Sequence, residues 1–144
     1  MLGTYKKLLV AVDGSTQSEK AFKEAVEIAK RNESTVYLVW IINDVELTTS
    51  AYAFSKLLQD ERAFVEDFMA KKADEVKAAG INDVHVVIDV GSPKRKIAVD
   101  IPKEFDINLI IMGSTGKGAI SQALIGSTTA FVVNHAVCNV MVVK

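Results

Sequence analysis

Unbroken apolar runs alternate along the chain with stretches whose apolar residues recur at helical spacing. Lys7 to Val12 (Lys-Leu-Leu-Val-Ala-Val) is short, rich in branched residues and closed by Asp13-Gly14-Ser15. A run apolar on both faces suits a central strand of a parallel sheet. Ser15 or Thr16 can then cap a helix reaching about Arg31, with Ala21, Phe22, Ala25, Val26, Ile28 and Ala29 at helical spacing. Val36 to Ile42 is a second buried strand. Thr48 to Ala79 predicts a longer helix with Leu57, Leu58, Phe64, Val65, Phe68, Met69 and Val76 on one face, stopped by Gly80. Val84 to Val90 is a third strand, and Pro93 opens a helix over Lys94 to Lys103 with Ile97, Ala98 and Ile101 inward. Ile107 to Met112 is the fourth strand, Gly113 to Gly126 an irregular loop, Ser127 to Ala136 the last helix and Val140 to Val143 the fifth strand.

Strands and helices that alternate in this way imply an α/β fold: a mostly parallel sheet with helices on both faces, because each parallel crossover needs a covering helix. In such Rossmann-like sheets ligands bind outside the carboxyl ends of the strands, where strand order reverses. That rim carries Asp13, Ile41 to Asp44, Gly91 and Gly113.

Composition narrows the function classes. The 144 residues fit one domain, 1–144, and 49% hydrophobic with 24% charged residues is a globular balance. A formal net charge of -1 gives no general pull toward nucleic acid. Cys138 is the only cysteine, so no intrachain disulfide forms. The N-terminus lacks the apolar core of a signal peptide, and no apolar run approaches the roughly 20 residues of a membrane span. The expectation is a cytoplasmic protein without nucleic-acid or membrane partners.

The chain has eight glycines, and Gly113, Gly116, Gly118 and Gly126 crowd into the loop after the fourth strand. Glycine permits positive φ and close approach of a ligand to the backbone, and successive N–H groups can cradle an anion. Ser127 and Thr128 open a helix whose unpaired N–H groups and dipole favour phosphate. Hydroxyls at Ser114, Thr115, Ser127 and Thr128 add hydrogen-bonding capacity, and Lys117 a countercharge. The competing reading is a surface loop whose glycines only make turns. Its place on the ligand-bearing rim weighs against that, and Ala119, Ile120, Ala123, Leu124 and Ile125 suggest a loop packed down at its middle. A Walker A lysine is missing, since position 119 is Ala119; a dinucleotide fingerprint started at Gly116 fails at Ser121.

The spacing Gly113-x2-Gly116-x9-Gly126-Ser127 resembles the ATP-binding signature of the universal stress protein family. Lys7 to Ser15 is similar to that family's opening strand and acidic turn, Gly91-Ser92-Pro93 with Ile97 to the segment after its third strand, and Leu109 to Gly113 to the strand feeding the signature. Val132 to Ala136, Cys138 and Val140 to Val143 resemble its C-terminal end. The resemblance implies a five-stranded sheet of order 3-2-1-4-5 with ATP between strands 1 and 4. Asp13 would hold the nucleoside end, Ile41 would offer backbone hydrogen bonds to adenine, Gly113 would lie near the ribose, and Gly116, Gly126, Ser127 and Thr128 would line the phosphates. It also implies a homodimer through Val140 to Val143. Asn108, Asn139 and Thr128 depart from residues common in the family (Asp, Pro and Val respectively), and none removes a signature glycine.

Several residues carry a plainer alternative. Asp13 can bind a ligand or cap its own turn; Asp44 and Glu46 can shape the site or be solvated loop carboxylates. His135 near a helix end reads as structural, His85 has no motif around it, Cys138 reads as a small buried hydrophobe and Trp40 as core. With so few histidines and cysteines a zinc site is not expected, whereas Mg²⁺ carried by nucleotide phosphates needs few protein ligands. Fast phosphoryl chemistry needs a positioned base and transition-state cations, and no such constellation is visible. The expectation is therefore an ATP-binding regulatory module with little or no turnover and no catalytic residue. A slow ATPase or phosphotransfer enzyme on the same loop, and a module acting by protein contacts alone, are the alternatives.

Overall fold

A computed structural model describes residues 4–43, 51–116 and 124–144. Its elements are β1 (Lys7–Ala11), α1 (Thr16–Asn32), β2 (Thr35–Ile42), α2 (Ala51–Ala78), β3 (Val84–Val90), α3 (Pro93–Arg95), a π-helical turn (Lys96–Asp100), α4 (Ile101–Phe105), β4 (Leu109–Gly113), α5 (Ser127–His135) and β5 (Asn139–Val143). The five strands form one parallel sheet in the order β3-β2-β1-β4-β5. The chain leaves β1 for β2 on one side and later returns to β4 on the other, so strand order reverses between β1 and β4. This is the crevice where α/β sheets take ligands.

The central strands are buried on both faces, as their uninterrupted apolar sequence requires. Leu8, Val10, Leu38 and Trp40 face α1 and α2; Leu9, Val39, Ile110 and Met112 face the helical segment 93–105 and α5. On α2 the inward stripe is narrower than the sequence suggests. Val65, Met69 and Val76 are fully buried, but Leu57 and Phe64 are 44% and 57% exposed. Phe64 lies against Phe68 at the margin of the core rather than within it.

The π-helical turn combines a local cause with a long-range one. Pro102 has no N–H to return to the preceding turn. The Ile101 N–H reaches back to the Lys96 carbonyl, and the Ala98 carbonyl is taken instead by the Val137 N–H at 3.2 Å. The wide turn sets Ile97 and Ala98 inward, and ties the segment before β5 to the helices on this face. No helix among the described residues is long and apolar enough to cross a membrane.

Candidate functional site

The site is built where β1 and β4 end. Beyond Ala11 the Val12 N–H donates to the Val39 carbonyl at 2.9 Å, and the chain then turns into α1 through Gly14, whose φ of 82° favours glycine. Asp13 Oδ1 accepts the Ser15 N–H at 2.9 Å, and Ser15 Oγ caps α1 by accepting the Ser18 N–H at 3.1 Å. Asp13 therefore does stabilise its own turn, and the same half-buried carboxylate also lines the cavity described below. The two readings of this residue are compatible.

The described signature glycines do not use the positive φ that was expected of them. None of Gly113, Gly116 and Gly126 takes a positive φ. A Cβ on Gly113 would stand 2.8–2.9 Å from the backbone and Cβ of Gln17, so this glycine lets α1 pack against the end of β4. A Cβ on Gly116 would meet Asp13 Oδ2 at 2.6 Å, and one on Gly126 would meet the Thr115 Cα at 3.3 Å. Missing side chains here bring protein segments together, and the cavity-facing backbone follows from that convergence.

Hydrogen bonds lock the arrangement. Ser114 donates its N–H to the Val143 carbonyl at 2.9 Å and accepts the Gly126 N–H at 2.8 Å. The buried Thr129 hydroxyl donates to the Gly113 carbonyl at 2.8 Å. These bonds draw the start of α5 alongside the end of β4. Ser114, expected as a phosphate-side hydroxyl, is buried and serves this scaffold. Leu124 and Ile125 are exposed by 73% and 52%, so they are not part of a packed loop centre. Lys117, Gly118, Ala119, Ile120, Ser121 and Ala123, as well as Asp44 and Glu46, lie outside the described residues.

A cavity of about 320 Å³ opens between these elements, and Asp13, Ile41, Gly113, Gly116, Gly126, Ser127 and Thr128 all line it. At one end stand Thr115, Gly116 and the first turn of α5. The leading N–H groups of that helix have no intrahelical acceptor, and Gly126 has no side chain to cap them. They offer a positive dipole end and free donors to an anion.

At the other end stand Trp40, Ile41, Ile42, Asn43, Glu61, Pro93 and Ile97. The β1–β2 register stops at Ala11↔Val39. Parallel-strand alternation turns the N–H and C=O of Ile41 to the same side as those of Val39, past the end of β1. Ile41 thus presents an adjacent donor and acceptor toward the crevice.

Sequence reasoning did not single out Thr129, Glu61 or Pro93 as lining residues. Glu61 was legible as a carboxylate on the apolar stripe of α2, four residues before Val65. The charged residues among the described lining are Asp13 and Glu61, both acidic.

The rim beside Ile97 is held by an ion pair. Lys96 Nζ lies 2.9 Å from Asp89 Oδ2, and its stem crosses Gly91, where a Cβ would meet it at 2.8 Å. The lysine and the Val90 N–H hold the Asp89 carboxyl below the usual carboxylate range; Asp89 in turn holds Lys96 above the ordinary lysine value.

Other candidates sit elsewhere. His85 pairs with Asp83 at 2.7 Å, beside the start of β2 and away from the cavity; Thr35, then His85, lowers that carboxyl. His135 stacks on Phe131 at the end of α5. Burial pushes the Cys138 thiol up. No cluster of three or more His, Cys, Asp or Glu side chains suited to a metal occurs among the described residues.

The universal stress protein family matches residues 4–144. The chain belongs to the universal stress protein family. A putative universal stress protein of Staphylococcus haemolyticus is 33% identical over 141 residues, covering 98% of this chain and 86% of the relative. Among solved structures, the universal stress protein UspA from Lactobacillus plantarum superposes with a TM-score of 0.90 at 34% identity, covering 99% of each chain. Two more distant structures share the fold. One is a universal stress protein in complex with cAMP (TM-score 0.69, 23% identity, 99% of this chain and 98% of the other), and one is the Archaeoglobus fulgidus protein in complex with dAMP (0.70, 19%, 98% and 99%).

Proposed function

We propose that this universal stress protein binds an adenine nucleotide, ATP in its full form, as a regulatory module with little or no turnover. One observation carries the reading: a single cavity joins the outward donor–acceptor pair of Ile41 to the uncapped start of α5. The Ile41 N–H matches the ring nitrogen N1 of adenine, and its carbonyl matches the 6-amino group. Guanine, with a donor at N1 and an acceptor at C6, mismatches both. The amides of Ser127 and Thr128 take phosphate oxygens, and Asp13 accepts from the nucleoside. That fold relatives were solved with cAMP and dAMP is consistent with an adenine nucleotide in this crevice.

Two carboxylates in the described lining make an unaccompanied triphosphate less favourable there. Mg²⁺ carried by the phosphates offsets this, and the residues present fit such an ion because it needs few protein ligands. For chemistry, the described lining supplies acceptors and backbone donors, groups that hold a nucleotide. A cytoplasmic setting accords with the lone cysteine. β5 is an edge strand with Met141 exposed on it, and a second copy pairing along Val140 to Val143 would satisfy its open edge.

The test is calorimetric titration with ATP, ADP and GTP, with and without Mg²⁺, alongside phosphate-release measurements. Saturable ATP binding with release too slow for multiple turnover supports the module. Robust turnover moves the assignment to an ATPase, and absence of any nucleotide heat moves it to a module that acts by protein contacts alone.

A further inference from the structure

We infer that Glu61 is a specificity residue of this cavity, reading the exocyclic amino group of the base. The inference rests on the adenine-nucleotide reading above and goes beyond it, because Glu61 has no place in the glycine signature. It stands on the inward stripe of α2: positions 61, 65, 69, 72 and 76 share one helix face, and Val65, Met69, Lys72 and Val76 are all buried there. Glu61 itself is part-buried where this stripe meets the cavity, and a carboxylate so placed gains from a donor that meets it. Glu61 opens onto the cavity, and among the described residues it has no hydrogen-bond or ion-pair partner. The other carboxylate of the lining, Asp13, is already engaged with the Ser15 N–H.

Its position on the helix assigns it to the base end. Phe68, seven residues along α2, packs edge-on against Trp40 with ring centroids 5.5 Å apart. Glu61 is two turns, about 10 Å, nearer the helix start, which carries it toward the carboxyl end of β2, where Trp40, Ile42 and Asn43 line the same cavity. An ionised carboxylate only accepts hydrogen bonds. The donor that adenine offers is its 6-amino group, which has two hydrogens. The Ile41 carbonyl takes one and Glu61 the other. A base with a carbonyl at C6 would place an acceptor against the carboxylate, and the unpaired charge then works against binding.

The experiment compares ATP, ITP and 2′-deoxy-ATP binding to wild-type protein and to Glu61→Gln by calorimetry, with a thermal melt to confirm that the variant folds. Glu61→Gln presents an amide that donates as readily as it accepts. The ATP-to-ITP affinity ratio is expected to fall about tenfold in the variant, mostly through improved ITP binding, while the ATP-to-2′-deoxy-ATP ratio stays the same. An unchanged ATP-to-ITP ratio overturns the assignment. A change confined to the 2′-deoxy arm also overturns it, placing the carboxylate on the ribose. Wild-type protein that binds none of these nucleotides defeats the adenine-nucleotide reading itself, whereas ATP binding with an unmoved ratio defeats Glu61 alone. A variant that does not fold is replaced by Glu61→Asp, whose shortened reach is expected to lower ATP affinity several-fold while leaving 2′-deoxy discrimination intact; unchanged ATP affinity there counts against the inference.

Discussion

The two ends of the cavity are built differently. At one end stand the backbone amides of Ser127 and Thr128 at a helix start, brought into place by glycines that let β4, α1 and α5 converge, and the proposed reading assigns the phosphates to them. At the other end, to which the proposed reading assigns the base, the strand edge of Ile41 stands with side chains from separate elements, Glu61 on α2 and Ile97 on the π-helical turn. Amides at a helix start attract any anion of suitable size and read little of its identity. A fixed donor–acceptor pair with a carboxylate beside it reads a pattern and adds less charge attraction. Affinity for a nucleotide is thus expected to concentrate at one end and selectivity at the other.

The change expected to act most strongly breaks both ends together. Gly113→Val places a side chain where only 2.8–2.9 Å separates its Cβ from the Gln17 backbone, and neither side can yield without moving α1 or β4. A loss of about 3 kcal/mol of folding stability is expected, read from urea unfolding. Gly126→Val separates the ends. Its Cβ meets the Thr115 Cα at 3.3 Å and pushes the start of α5 off the loop. ATP affinity is expected to fall roughly 100-fold, about 2.7 kcal/mol, while adenosine binding changes little; equal losses for both ligands would show that the ends are not separable. Replacing ATP by GTP probes the base end without mutation. Mismatch at the Ile41 edge is expected to cost about 2 kcal/mol, measured by competition titration, a typical penalty for a buried hydrogen-bonding group left unpaired.

The smallest effect concerns the staple beside Ile97. Asp89 and Lys96 are half and one-quarter exposed, so their pairing is worth at most about 1 kcal/mol. Asp89 has a lowered folded pKa, so its contribution is present above the unfolded carboxylate pKa and disappears as pH falls through the folded value. Lys96 has a raised folded pKa, so its contribution is complete below the unfolded lysine pKa and disappears as pH rises through the folded value. Lys96→Met is expected to flatten the stability profile at both extremes and leave phosphate-end affinity unchanged, as melts across pH would show.

The fold was legible because its signals are periodic. The apolar runs at Lys7 to Val12 and Val36 to Ile42 have no polar face, which is why they occupy the sheet interior, and Ser15 and Pro93 stand where helices start. The placement of Gly113, Gly116, Gly126, Ser127 and Thr128 on one cavity was equally readable, since strand-end position and turn chemistry are local properties. What the glycines do was harder to read. Close contact between Gly113 and Gln17, or between Gly116 and Asp13, joins residues far apart in sequence, and no local pattern announces it. The π-helical turn likewise depends on Val137 reaching the Ala98 carbonyl. Leu57 and Phe64 carry the helical period of α2 yet stay largely exposed, because periodicity fixes a face and leaves the extent of its partner undetermined.

Backbone amide shifts during a titration with Mg-ATP test the central claim most directly, because one spectrum reports both ends. Ile41, Ser127 and Thr128 are expected to shift together and saturate at a common ATP concentration, with Ser127 and Thr128 alone responding to inorganic phosphate. Saturating ATP that leaves these three amides unmoved, or moves residues away from the crevice instead, would contradict the account.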